Sequence, residues 1–187
     1  MSTELATELE IAPLFNWLPV LAQNRHPYLF PEDRNTLSRQ DYSRPGIYRW
    51  CLRSREGKLE FLVGETENFY TRIGQYLKHG NKHHIKIRER FDETLSSSGT
   101  VSLDLLEFQP FKIAEVTISS EKLHDPFVRL ILENLCCLLL LQQGFALVNA
   151  AVKKKQKGEL FAIARQRPEE FNRAIEEVLL QKKANAS

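Results

Sequence analysis

Apolar and polar positions change period several times along the chain, and each change predicts an element. Two short apolar runs, Gly46-Ile47-Tyr48-Arg49-Trp50-Cys51-Leu52 and Leu59-Glu60-Phe61-Leu62-Val63, flank a charged turn that contains Gly57. Apolar runs on either side of a glycine-bearing turn predict a hairpin, with strands near 46–52 and 58–63. Thr66 is the expected cap of a helix carrying Phe69, Ile73, Tyr76 and Leu77 on one side, which Gly80-Asn81 ends. A second helix is predicted from about Lys82 to Thr94, with Ile85, Ile87 and Phe91 as its apolar side. Val101 to Leu105 alternates with period two, as a half-buried strand does, and Ile113 to Ile118 reads as another strand. Asp125-Pro126 opens a long helix that Gly144 stops; it is apolar nearly all round and should be central and buried.

The ends read differently. Ile11, Leu14, Phe15, Leu18 and Leu21 recur at helical spacing and predict a short amphipathic helix despite Pro13 and Pro19. Residues 24–45, rich in proline, should be mostly loop. The C-terminal stretch has a basic run, Lys153 to Lys157, and a helix over about 168–181 with Phe171, Ile175, Val178 and Leu179 on one side. The predicted organisation is an N-terminal helical and loop extension (1–40), a central domain (41–150), and a basic segment with a C-terminal helix packed on it (151–187).

Composition adds limits. The chain has 187 residues, 42% hydrophobic and 27% charged, enough for one domain with a real core. A net charge of +2 does not announce a nucleic-acid partner, so any such case rests on where the positive charge lies. Cys51, Cys136 and Cys137 lie in apolar runs without a CxxC, which fits reduced thiols in a cytoplasmic protein. The N-terminus has no basic region leading into an apolar stretch, so no signal peptide is expected, and the longest apolar run is too short to span a bilayer.

Four positions could carry chemistry. Glu133 stands in an apolar helix, where a carboxylate is costly to bury unless paired, hydrogen-bonded or bound to a metal. Either it is such a group, or it lies on one exposed stripe shared with Arg129 and Asn134. Arg72 and Tyr76 are neighbours on a helix face; an arginine fork grips phosphate and a nearby phenol can donate to it or relay a proton. Tyr48 lies in a strand, where tyrosine is common for packing reasons alone, and could be a base only if a cation lowered its pKa. The segment Lys78, His79, Lys82, His83, His84, Lys86, Arg88 and Arg90 is the densest positive stretch. It suits contact with a phosphate backbone, and equally suits a solvated helix face.

Taken in order, Gly46-Ile47-Tyr48, a hairpin, Val63-Gly64-Glu65-Thr66, Arg72 with Tyr76, Glu133 in an apolar helix and Asn149 after its stop resemble a GIY-YIG nuclease domain over roughly residues 41–150. The resemblance implies an α+β fold, a small mainly antiparallel sheet of three to four strands flanked by helices. It implies a divalent-metal-dependent endonuclease hydrolysing phosphodiester bonds in DNA. Tyr48 would be the general base or orient the attacking water, Arg72 would stabilise charge on the phosphate, and Tyr76 would stand near the reacting groups. Glu133 would hold a single Mg²⁺ or Mn²⁺ ion, and Asn149 would brace the site. Nucleic-acid contacts are expected from Lys78, His79, Lys82, His83, Lys86 and Arg88. Double-stranded DNA is the expected partner, with no membrane and no organic cofactor, and a homodimer is left open.

One position departs from the pattern: Leu62 stands where that family usually has its second tyrosine. Either the hydroxyl is dispensable, or Lys58 or Tyr70 substitutes, or catalysis is lost. The last case leaves a nucleic-acid-binding module on the same fold. A third reading is a protein-interaction domain that docks through its N-terminal helix.

Overall fold

The computed structural model describes residues 15–78, 84–113 and 116–148. In chain order these form β1 (Phe15–Pro19), α1 (Arg39–Tyr42), β2 (Gly46–Arg53), β3 (Leu59–Thr66), α2 (Phe69–Leu77), α3 (Ile85–Ser96), β4 (Thr100–Phe108), β5 (Phe111–Ile113), β6 (Val116–Ile118), α4 (Pro126–Gln142) and β7 (Ala146–Leu147). Short 3-10 turns lie at Arg34–Thr36 and Ser120–His124.

The hairpin forms as its pattern predicts. β2 and β3 run antiparallel from the Gly46–Thr66 pair to the Arg53–Leu59 pair. Gly57 closes the turn at φ +85°, a left-handed conformation that glycine adopts without steric cost. β2 is a central strand because β4 pairs along its other edge, Tyr48 opposite Leu105 and Arg53 opposite Thr100.

The sheet is larger than expected. It has five strands in the order β1-β4-β2-β3-β7, not three to four, and the β3–β7 pair is parallel, so the sheet is mixed. The fold is α+β. The stretch expected to be an amphipathic helix is, from Phe15 to Pro19, a strand paired with β4. Pro19 cannot sit comfortably inside a helix but is tolerated on an edge strand, which is where β1 lies. Ile11 and Leu14 lie outside the described residues. The segment that follows belongs to the domain core: Val20, Tyr28, Phe30 and Leu37 are buried. The single strand expected at 113–118 is instead the hairpin β5–β6. The C-terminal basic segment and helix lie outside the described residues.

Two layers of side chains cover the sheet. Ile47, Phe61 and Val63 pack with Leu132, Leu135 and Cys136 of α4 on one side. Tyr48, Trp50, Leu52 and Leu62 pack with Phe69, Ile73 and Tyr76 of α2 and Phe91 of α3 on the other. Strand alternation explains the split, since successive residues of β2 point to opposite faces. α4 ends at Gln142, and Gly144 follows it at φ +81°. Among the described residues no helix is long and apolar enough to cross a membrane.

Candidate functional site

Tyr48 sits in the middle of the sheet, directly opposite Gly64 on β3 and Leu105 on β4. A Cβ built on Gly64 would land on the Tyr48 phenol. Gly64 is therefore the space into which the Tyr48 side chain folds. That contact links the two halves of the motif physically, across the strand pair.

α2 delivers the next two residues. Asn68, not Thr66, caps this helix: its side chain accepts a hydrogen bond from the Thr71 N–H at 2.9 Å. Thr66 stands one step back and accepts from the Asn68 N–H at 3.1 Å. Phe69, Ile73 and Tyr76 are buried on the inner side of α2. Tyr76 reaches the sheet, and its hydroxyl lies 2.9 Å from that of Tyr48 in a buried hydrogen bond. The two rings meet edge to face, with centroids 6.2 Å apart, and Tyr76 also packs on Trp50 and His84.

Arg72, one turn before Tyr76, is half-buried. Its Nη1 donates to Gln75 Oε1 at 3.0 Å, while its Nε is buried without a hydrogen-bond acceptor. An arginine N–H taken out of water with no acceptor is uncommon, because it loses the solvent bond and regains nothing.

α4 supplies the carboxylate. Glu133 is 7% exposed, Arg129 5% and Asn134 9%, so the polar residues of this helix form no solvent stripe. Arg129 is held at three points: its Nε donates to Glu65 Oε2 at 2.6 Å, and its Nη1 to the carbonyls of Leu123 and His124 at 2.7 and 3.0 Å. This partly buried ion pair ties α4 to β3 one residue from Gly64. Glu133 follows one helical turn later.

The electrostatics connect all four groups. Burial pushes the Tyr48 phenol well above its ordinary pKa; Tyr76 and Glu133 add to the rise and Arg72 opposes it. Tyr76 is pushed up to about 12, again mainly by burial, with Glu133 raising it and the Tyr48 hydrogen bond and Arg72 lowering it. Tyr48, Tyr76, Arg72 and Glu133, from three separate elements, thus lie within electrostatic reach of one another. The two hydroxyls share one buried hydrogen bond in which either can be the donor. At neutral pH both phenols are protonated, so Tyr48 can orient or donate but does not stand ready as a base.

No family model, curated protein or solved structure matches this chain. The functional reading rests on its own residues.

Leu62 is buried in the core opposite Trp50, with no hydroxyl to offer. Neither suggested substitute reaches it. Lys58 is exposed at the hairpin turn, 3.9 Å from Glu60, and the Tyr70 hydroxyl donates to Asn35 Oδ1 at 3.0 Å. The basic segment is divided. Lys78 and Lys86 are exposed, whereas Arg88 turns inward and donates to the Tyr76 and Leu77 carbonyls at 3.0 and 3.1 Å. It satisfies carbonyls that the last turn of α2 leaves open, with Asp92 beside it. Arg88 is therefore occupied within the fold. His79, Lys82, His83 and Asn149 lie outside the described residues.

Sequence reasoning missed the Arg129–Glu65 pair, although an arginine one turn from a glutamate in an apolar helix was a usable signal. It also missed a cleft of about 280 Å³ at the start of β2, lined by Arg44, Gly46, Leu105, Glu107, Ser120 and Leu123 among others. Neither Tyr48 nor Tyr76 lines it. Among the described residues no group of three or more His, Cys, Asp or Glu side chains could cage a metal. A hard cation held by one carboxylate, waters and phosphate oxygens needs no such cage.

Proposed function

We propose that this chain is a divalent-metal-dependent endonuclease that hydrolyses phosphodiester bonds in DNA through a GIY-YIG-type site. One observation carries the reading: Tyr48, Arg72, Tyr76 and Glu133 are electrostatically coupled although they come from β2, α2 and α4. In this reading the half-buried Arg72, which has no carboxylate partner among the described residues, meets the phosphate. Tyr48, protonated and hydrogen-bonded to Tyr76, orients the attacking water. Tyr76 holds the Tyr48 hydroxyl in place through that bond. Glu133 would hold Mg²⁺ or Mn²⁺, which when bound polarises the phosphate and stabilises the leaving oxygen. Asn149 is the remaining candidate for bracing the site.

Duplex DNA incubated with the protein and Mg²⁺ should be nicked or cut, EDTA should abolish this, and Glu133→Ala or Arg72→Ala should remove it. Full activity in both variants would sink the site assignment.

A second reading has its own observation. The hydroxyl position of the family's second tyrosine is filled by a buried Leu62, and Tyr48 and Tyr76 are only 3% and 4% exposed. A nucleic-acid-binding module without catalysis fits those facts. Salt-sensitive binding with no cleavage in either Mg²⁺ or Mn²⁺ would select it. The protein-interaction reading has lost the basis it had between Phe15 and Leu21, since no docking helix forms there.

A further inference from the structure

Four arginines of the described residues form ion pairs. Arg49 pairs with Asp104, Arg88 with Asp92, Arg90 with Glu60 and Glu93, and Arg129 with Glu65. Arg34 pairs with nothing, although it is half-buried and sits beside two acidic residues. Glu32 is taken by His26 at 3.3 Å, and the Asp33 carboxylate accepts from Asn35 N–H at 2.9 Å.

Arg34 is nevertheless held in place. Its guanidinium lies over the Tyr70 ring, 5.0 Å from the centroid. Tyr70 is itself fixed by the hydrogen bond from its hydroxyl to Asn35. Gly74, one turn along α2 from Tyr70, makes the room: a Cβ there would land on the Arg34 guanidinium. Stacking fixes the plane of a guanidinium and leaves its N–H edge free for a planar acceptor, which phosphate supplies. The facing helix, Phe69–Leu77, has no acidic residue, and Arg72 lies on its other side from Tyr70 and Gly74.

We infer that Arg34, stacked on Tyr70 and seated against Gly74, is a second phosphate contact for nucleic acid, delivered to α2 by the N-terminal segment. The inference deepens the proposed reading and rests on it. Arg34 is a positioning and binding residue; it takes no part in the chemistry.

The test is the salt dependence of binding to a short fluorescent duplex in EDTA, where cleavage is silent. Each lost phosphate contact lowers the slope of log K against log salt by about 0.9. Arg34→Ala should lose about that much slope. Arg55→Ala, an exposed arginine in the hairpin turn, should lose clearly less. Gly74→Ala keeps the charge but displaces the guanidinium, so it should weaken binding as Arg34→Ala does, even though alanine is the better helix residue. Thermal melts check that each variant is folded; if Gly74→Ala is not, the Arg34 and Arg55 comparison decides. Equal slopes for Arg34→Ala and Arg55→Ala, in a protein that does bind, overturn the contact and leave the nuclease reading standing. A wild-type protein that binds no duplex at low salt overturns both.

Discussion

Replacing Gly64 with alanine puts the proposed link between the two halves of the motif under direct strain. Gly64 lies in the interior of β3, in extended backbone that alanine also adopts, so the perturbation is steric. The new methyl would collide with the Tyr48 hydroxyl and the adjoining ring atoms, and the phenol must swing away. Overfilling a packed core costs about 1–3 kcal/mol. Moving the ring also breaks the 2.9 Å bond to Tyr76 and leaves a hydroxyl buried without a partner, roughly 1 kcal/mol or more besides. The sum, about 2–4 kcal/mol, corresponds to a fall in Tm of roughly 5–15 °C for a chain of this size. Urea unfolding of Gly64→Ala, Tyr48→Phe and the double variant provides the assay. Because the hydroxyl is the nearest obstacle, the double variant should be more stable than the two single losses added together, by about 1 kcal/mol. A neutral Gly64→Ala, or two strictly additive losses, would refute the contact.

Stability should also fall in alkali, and the sign follows from the phenols. Tyr76 is raised from 10.0 to about 12 in the folded state, so the unfolded chain loses this proton first as pH rises. Its contribution is full below pH 10 and drains away between roughly 10 and 12, worth about 3 kcal/mol at the upper end. Urea titrations across that range should show the fall, and Tyr76→Phe should lessen it, the raised Tyr48 phenol supplying the remainder. Glu65→Ala strands the Arg129 cation in the interior and should cost about 3 kcal/mol in urea unfolding, whereas Lys58→Ala, at an exposed pair, should change stability by less than about 0.5 kcal/mol. In plasmid-nicking assays Tyr48→Phe and Arg72→Ala should each slow cleavage by about 10²–10³-fold, with Arg72→Ala also weakening binding in EDTA. Unchanged rates would remove both from the site.

What local pattern alone determines was legible from the start. The hairpin at 46–66 follows from two apolar runs and a glycine turn, and α4 follows from Asp125-Pro126 and the stop near Gly144. Each is set within a few residues, by φ/ψ preference and by which side chains can share a face. The order of Tyr48, Arg72, Tyr76 and Glu133 was legible too, because their spacing is a property of the chain.

Tertiary structure decided the rest. Apolar residues at 15 and 18 read as helix, yet Phe15–Pro19 is a strand because β4, almost ninety residues on, offers an edge to pair with. Local spacing cannot report so distant a partner, and β7 was missed for the same reason. Arg88 looked like a free cation until α2 ended against it with open carbonyls. Glu133 had two readings until its burial removed the exposed one. Burial depends on every neighbouring element at once, and burial is also what raises both phenols. The sequence by itself named the residues of the candidate site; only the fold decided that Tyr48 and Tyr76 share a buried hydrogen bond, with Arg72 and Glu133 in electrostatic reach.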